Sequence, residues 1–98
     1  MSNPYIPHPL DTGDVQLSDK LLALAETLAE NTHENWSAER VRQGWSYGPQ
    51  RNDALRQTPC LLPYDELPES EKDFDRNTAM ETIRLLIKLG WTLTPPQE

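Results

Sequence analysis

Aromatic and cationic residues are concentrated in the segment LAENTHENWSAERVRQGWSYGP, which spans residues 28–49. Five residues in or just after this segment are candidates for a binding surface: Trp36, Arg40, Trp45, Tyr47 and Arg51. The first two are four positions apart and therefore share a helix face, while the others follow across a turn and can fold back toward it. Aromatic rings stack on nucleotide bases, and arginine forks hold phosphate through two hydrogen bonds. The segment predicts either a platform for a nucleotide-type small anion or a packing seam in which the aromatic rings are core.

The overall charge limits which partners are expected. The chain has 98 residues, a net charge of −7 and a pI of about 4.7. Such an acidic chain lacks the basic surface that grips long nucleic acid, and it is repelled by anionic membranes. A small anion needs only a local convergence of arginines. With no signal peptide pattern and no apolar run of the ~20 residues that a membrane span requires, we expect a cytoplasmic domain.

Catalytic and metal-binding constellations are not evident. The only histidines are His8 and His33, and Cys60 is the single cysteine. A nucleophile needs an activating base with its own orienting partner, and the sequence offers neither such a triad nor a Gly-rich phosphate loop. His33 with Glu30 or Glu34 would supply two metal ligands where a site needs more. We therefore expect no enzyme activity, metal or cofactor, and we interpret His33 as a hydrogen-bond donor to a loop carbonyl.

The first helix is predicted over residues 17–44. Ser18 is a good N-cap, and Gly44 is a natural stop because glycine enters the left-handed terminal conformation without steric cost. Apolar and small residues recur at spacings of three and four, which predicts one buried stripe: Leu21, Ala25, Leu28, Ala29, Thr32 and Trp36. The preceding residues 1–16 alternate proline with apolar groups and predict an extended arm. Three apolar side chains are expected to pin it to the body: Tyr5, Ile6 and Leu10.

The second helix is predicted over residues 69–90, where a second proline-free window begins. Its apolar positions again have helical spacing: Phe74, Ala79, Met80, Ile83, Leu86 and Ile87. Residues 45–68 hold four prolines and several aromatic residues, which predicts an ordered loop; if the tryptophans are core, Tyr64 is expected to cover them. Residues 91–98 form a tail. The fold class is thus mainly α: one domain of two long antiparallel helices joined by an ordered Pro-rich loop, with an extended N-terminal arm and room for short strands.

Two surfaces of the second helix stand out. Its start is a charged run, residues 71–76, which a solvated helix face explains without a function. Asp75 or Arg76 is expected to anchor the Gly-Pro loop through a partly buried ion pair. Toward its end, four large apolar residues fall close together: Leu85, Leu86, Ile87 and Leu89. This apolar surface is wider than one stripe and suggests a homodimer, since two packed helices leave one face open.

Three stretches together resemble the RyR domain, the repeat of ryanodine receptor calcium channels that also occurs in stand-alone prokaryotic and phage proteins. They are YIPHPLDT, LAENTHENWSAERVRQGWSYGPQRND and LLPYDELPESEKDFDRNTAMETIRLLIKLGW, and the resemblance covers about residues 4–93. It implies two main antiparallel helices with short strands and long loops, and an interaction or ligand module without enzyme activity. In prokaryotic settings it implies sensing of nucleotide-derived ligands. The alternative is a protein–protein interaction module whose aromatics are core and whose acidic surface meets a basic partner.

Overall fold

The computed structural model describes residues 4–97, and it confirms the mainly α fold. Two long helices dominate the chain, α1 (Asp19–Arg42) and α2 (Glu69–Lys88). They run antiparallel, because Asp14, just before α1, lies 2.8 Å from Lys88 at the end of α2. The N-terminal half of α2 therefore lies beside the C-terminal half of α1.

Local signals explain where α1 begins and ends. The Ser18 hydroxyl accepts a hydrogen bond from the Leu21 amide at 3.2 Å, which satisfies one of the free donors of the first turn. At the other end Gly44 has a φ of +88°, and the amide of Trp45 donates to the carbonyl of Arg40. This left-handed exit turns the chain back toward the helix.

The core is small and is built around alanines on α1. One cluster joins Ala25 of α1 to Ala79 and Ile83 of α2. The other joins Ala29 to two residues of the connecting loop and its end, Tyr64 and Leu67. Small side chains at the contacts let helices and loop approach closely, because helix separation depends on the side chains between them.

The Pro-rich connection is ordered and contains short strands. β1 (Ser46–Tyr47) pairs in parallel with β2 (Gln57–Thr58), and a 3₁₀ turn follows at Tyr64–Glu66. Gly48 is buried against β2, where a Cβ would lie 2.7 Å from the Cβ of Gln57. The Gly-Pro turn thus needs glycine because the two strands approach closely at that point.

Three side chains predicted to be buried are exposed. Leu28 and Thr32 on α1 face solvent, and Phe74 on α2 is 72% exposed. The periodicity placed these residues correctly on helices. It does not reveal which of the apolar positions on a helix another segment of the chain will bury. In this fold the loop covers Ala29 and His33, so the flanking positions remain open.

The N-terminal arm is extended but is not pinned by the predicted apolar residues. Tyr5 and Ile6 are 86% and 66% exposed, and Leu10 is exposed as well. The arm is held instead by Thr12, which is buried and donates a hydrogen bond to the Glu81 carboxylate at 2.7 Å. The arm is therefore attached to α2 by a polar hydrogen bond and not by the apolar contacts that were predicted.

Neither α1 nor α2, which are the helices in residues 4–97, has a stretch long and apolar enough to cross a bilayer.

Candidate functional site

Two tryptophans and two arginines alternate at the C-terminal end of α1. The guanidinium of Arg40 lies over both the Trp36 ring, at 5.6 Å, and the Trp45 ring, at 5.1 Å. Arg51 lies over the Trp45 ring at 5.4 Å. We call these four residues the arginine–tryptophan row. Cation–π contacts of this kind hold flexible arginines in defined positions.

The predicted aromatic wall of Trp36, Trp45 and Tyr47 does not form. Arg40 contacts both tryptophans, and the ring contact of Trp36 is with His33, at 5.6 Å. Tyr47 lies on β1 and is 54% exposed. The aromatic rings are therefore not clustered, and a surface for stacking would consist of a single tryptophan ring.

His33 connects the helix to the loop. Its Nε2 lies 2.7 Å from the carbonyl oxygen of Leu62, and since a carbonyl oxygen can only accept, Nε2 carries the proton. This is the type of contact that the sequence led us to expect. The His33 ring also stacks on Trp36 with an interplanar angle of 24°. His33 thus supports the Trp36 ring from inside the fold.

A cleft of about 490 Å³ opens between the C-terminal half of α1, the loop and the start of α2. It is lined by Thr32, His33, Trp36, Arg51, Thr58, Cys60, Leu67, Glu71, Phe74 and Asp75. Of the five candidate binding residues, Trp36 and Arg51 are on this wall. Arg40 and Trp45 contact these two residues without lining the cleft, and Tyr47 lies elsewhere.

The cleft has charges of both signs. Arg51 Nε donates to the Asp53 carboxylate at 2.8 Å, and this hydrogen bond holds the pKa of Asp53 below its ordinary value. Both partners are well exposed, so the pair is screened by salt. On the α2 side the cleft is lined by Glu71 and Asp75. An anionic group would therefore be favoured near Arg51 and disfavoured near α2.

The sequence reasoning missed the α2 side of the cleft. Glu71 and Asp75 are one helical turn apart and thus share a face, with Phe74 beside them. From the sequence, the charged run is interpreted as a solvated helix face and Asp75 as a candidate loop anchor, because a charged run rarely has another role. The signal in the sequence that could have pointed to a cleft was Phe74, a large apolar residue within this charged run.

The ion pair predicted at the start of α2 forms, but it does not involve the Gly-Pro loop. Arg76 does not hold the Gly-Pro loop: it donates to Glu26 of α1 at 2.6 Å and to Glu69 at 2.9 Å. Asp75 lines the cleft instead. Tyr64 donates to the same Glu26 at 3.1 Å, and burial together with this carboxylate raises the pKa of Tyr64 to about 12. Arg76 and Tyr64 therefore tie α1 to α2 and the loop through one carboxylate.

Acid should weaken this link. The hydrogen bond from Arg76 holds the pKa of Glu26 below its ordinary value of 4.5 in the folded chain. A carboxylate whose pKa is lowered by folding adds stability above its unfolded pKa, and that contribution disappears as pH falls through the folded value. We expect the melting temperature to be level from pH 7 to about pH 5 and to fall below pH 4.5. Glu26→Gln should reduce the slope of that fall, and an identical slope in both proteins would contradict the assignment.

Among residues 4–97, no group of three or more His, Cys, Asp or Glu side chains is placed to hold a metal ion.

The helix pair, the Gly-Pro loop and the cleft between them define a small, mainly α domain of two antiparallel helices. The sequence matches the RyR domain family over residues 5–95, which is nearly the whole chain. The chain therefore belongs to the RyR domain family.

Proposed function

We propose that this chain is a non-enzymatic cytoplasmic module that binds a nucleotide-type small anion in the cleft. The observation that carries the proposal is that the Trp36 ring and the Arg51 guanidinium line the same cleft. A volume of about 490 Å³ lies within the ordinary range of small-molecule sites.

Trp36 would provide the stacking plane for a base. Its ring is half-buried and contacts His33, stacked at 5.6 Å, and Arg40, whose guanidinium lies 5.6 Å from the ring centre; a base would stack on the part of the ring that these two contacts leave open. These two contacts fix the ring before a ligand arrives. A pre-oriented ring loses little freedom on binding, and such stacking contributes about 1–3 kcal/mol per base in single-strand binders.

Arg51 would hold the phosphate. Its contact with Trp45 keeps the guanidinium at the cleft, while Asp53 occupies part of its donor fork. A phosphate could replace this exposed carboxylate, because a guanidinium matches both groups through two parallel hydrogen bonds. Arg40, bound on both sides by tryptophan, would contribute positive charge without touching the ligand.

The carboxylates of Glu71 and Asp75 would set the orientation of the ligand. They disfavour phosphate on the α2 side and accept hydrogen bonds from ribose hydroxyls or base amino groups. The phosphate would then lie near Arg51, and the sugar or base edge near α2. A bare inorganic anion would gain neither the stacking nor these hydrogen bonds.

We expect Trp36→Ala to weaken nucleotide binding by about fivefold or more, which is the loss of one stacked base. The measurement is a titration of the full chain with a panel of mononucleotides and cyclic dinucleotides, followed by tryptophan fluorescence and melting temperature. A ligand at 100 times its dissociation constant adds about 2.7 kcal/mol of stability. Tyr47→Ala is the matched control, since Tyr47 is an exposed aromatic residue outside the cleft.

Arg51→Gln keeps this test interpretable should Trp36→Ala fail to fold, because Arg51 is on the surface. Its control is Arg42→Gln, an exposed arginine on α1 that pairs with Glu39. A flat response to every nucleotide would reject the proposal. The protein–protein interaction module, with its acidic surface toward a basic partner, would then be the better description.

A further inference from the structure

The chain exposes far more surface than a compact protein of its mass. Its accessible area is 7875 Å², whereas an 11.2 kDa monomer is expected to expose about 5,700 Å². The radius of gyration is 17.0 Å against about 13 Å for a compact chain of this length. The molecule is also flat, with extents of 53 × 45 × 23 Å. The excess of roughly 2,200 Å² is more than the ~800 Å² per partner that a standard stable interface buries.

Several exposed apolar side chains lie in the N-terminal arm, next to α2. The arm exposes Tyr5, Ile6 and Leu10 and buries none of them against its own chain. Beside it is a groove of about 570 Å³, with Pro9, Leu10 and Thr12 on the arm side. The α2 side is formed by Asn77, Thr78, Glu81, Thr82 and Leu85.

We infer that two copies of this chain pair by exchanging arms, with Tyr5 and Ile6 of each copy packed on the α2 groove of the other. One contiguous surface has both the apolar arm and the groove that would accept it. A two-fold interface requires this self-complementary arrangement, since the same patch must serve on both subunits. The inference is independent of the proposed ligand, because the groove and the ligand cleft share no lining residue.

Charge favours a second copy over a basic partner at this face. Glu81 is the one ionisable residue that lines the groove, and its carboxylate is paired with Arg84 at 2.9 Å. Nearby, Asp14 is paired with Lys88. Asp11 of the arm is exposed and has no ion pair among the described residues, but most of the sixteen acidic residues lie outside this face, so two copies can meet here with limited repulsion. A basic partner would find little unpaired negative charge to recognise.

The test is sedimentation velocity of the full chain from about 1 to 100 µM, which covers the weaker range of standard-size interfaces. We expect a mass of twice 11.2 kDa for the wild type. Ile6→Asp should weaken dimerisation at least about tenfold, because it places an unpaired charge in the apolar contact. Leu55→Asp is the matched control, since Leu55 is equally exposed but lies in the turn after β1.

Each outcome decides the question. A dimer that Ile6→Asp dissociates and Leu55→Asp leaves intact supports the arm exchange. Thr82→Arg, which fills the groove from the α2 side, should dissociate it as well. A wild-type monomer across the whole range, a dimer insensitive to Ile6→Asp, or larger assemblies that grow with concentration would overturn it. Circular dichroism of each variant establishes that the helices are retained.

Discussion

Ile83→Ala is expected to lower the free energy of unfolding by about 2–5 kcal/mol, the range for truncating a buried large aliphatic residue. Ile83 is 2% exposed and is the largest fully buried side chain. It packs with Ala25 and Ala79, and partly buried side chains such as Leu21, Met80 and Ile87 surround this cluster. Surrounding side chains relax only partially into the space that a truncation leaves. The loss combines the transfer of the removed methyl and methylene groups to water with the cavity that remains.

The effect should be large because the core contains few other buried apolar contacts that could hold the fold together. Total stabilities of small domains are only about 5–15 kcal/mol, and just six apolar residues are buried in the described part of the chain, residues 4–97. We expect a fall in melting temperature of roughly 8 °C or more, measured by thermal or urea unfolding. Leu55→Ala, at an exposed position, should stay within about 0.5 kcal/mol of the wild type. A loss below about 1 kcal/mol for Ile83→Ala would mean that the helices contact each other elsewhere.

The helices were predictable because their signals are local. The Ser18 hydroxyl caps the first helix by accepting a hydrogen bond from the Leu21 amide. Gly44 and Gly90 both adopt the positive φ that ends a helix. Such features depend on a few neighbouring residues, which a single sequence contains. The strands of the loop were not placed, because two-residue segments such as Ser46–Tyr47 have no periodicity to detect.

Burial was less predictable than helix formation. The spacing that put Ala25 and Ala29 on one stripe is correct, but Leu28 on the same pattern is exposed. The difference is made by the loop, which covers α1 from one side only. Where a distant segment comes to rest depends on the whole chain, and the same reason explains why Phe74 was wrongly assigned to the core.

The candidate site shows the same division between local and distant contacts. Trp36 and Arg40 meet because they are one turn apart, as the sequence predicts. The contact of Arg40 with Trp45 follows from the tight turn at Gly44, and Arg51 joins the row through Trp45. Tyr47, only two residues after Trp45, lies outside because β1 turns its side chain to solvent.

His33→Ala is expected to lower the free energy of unfolding by about 1–3 kcal/mol, which is the cost of a buried acceptor left without its donor. The carbonyl of Leu62 accepts from Nε2 of His33 at 2.7 Å, and His33 is buried. Alanine removes the donor and leaves the Leu62 carbonyl without its partner in the protein. His8→Ala is the matched control, since His8 lies in the exposed arm and should stay within about 0.5 kcal/mol of the wild type.

The same variant separates structural support from ligand contact. His33 stacks on Trp36 at 5.6 Å and also lines the cleft, so its loss should loosen the ring that is proposed to stack on a base. His33→Gln retains a hydrogen-bond donor and should recover part of the stability without restoring the stacked ring. Stability unchanged in His33→Ala would show that the Leu62 carbonyl finds another donor. Full recovery of nucleotide affinity by His33→Gln would show that the loop anchor, rather than the stacked ring, prepares Trp36 for a ligand.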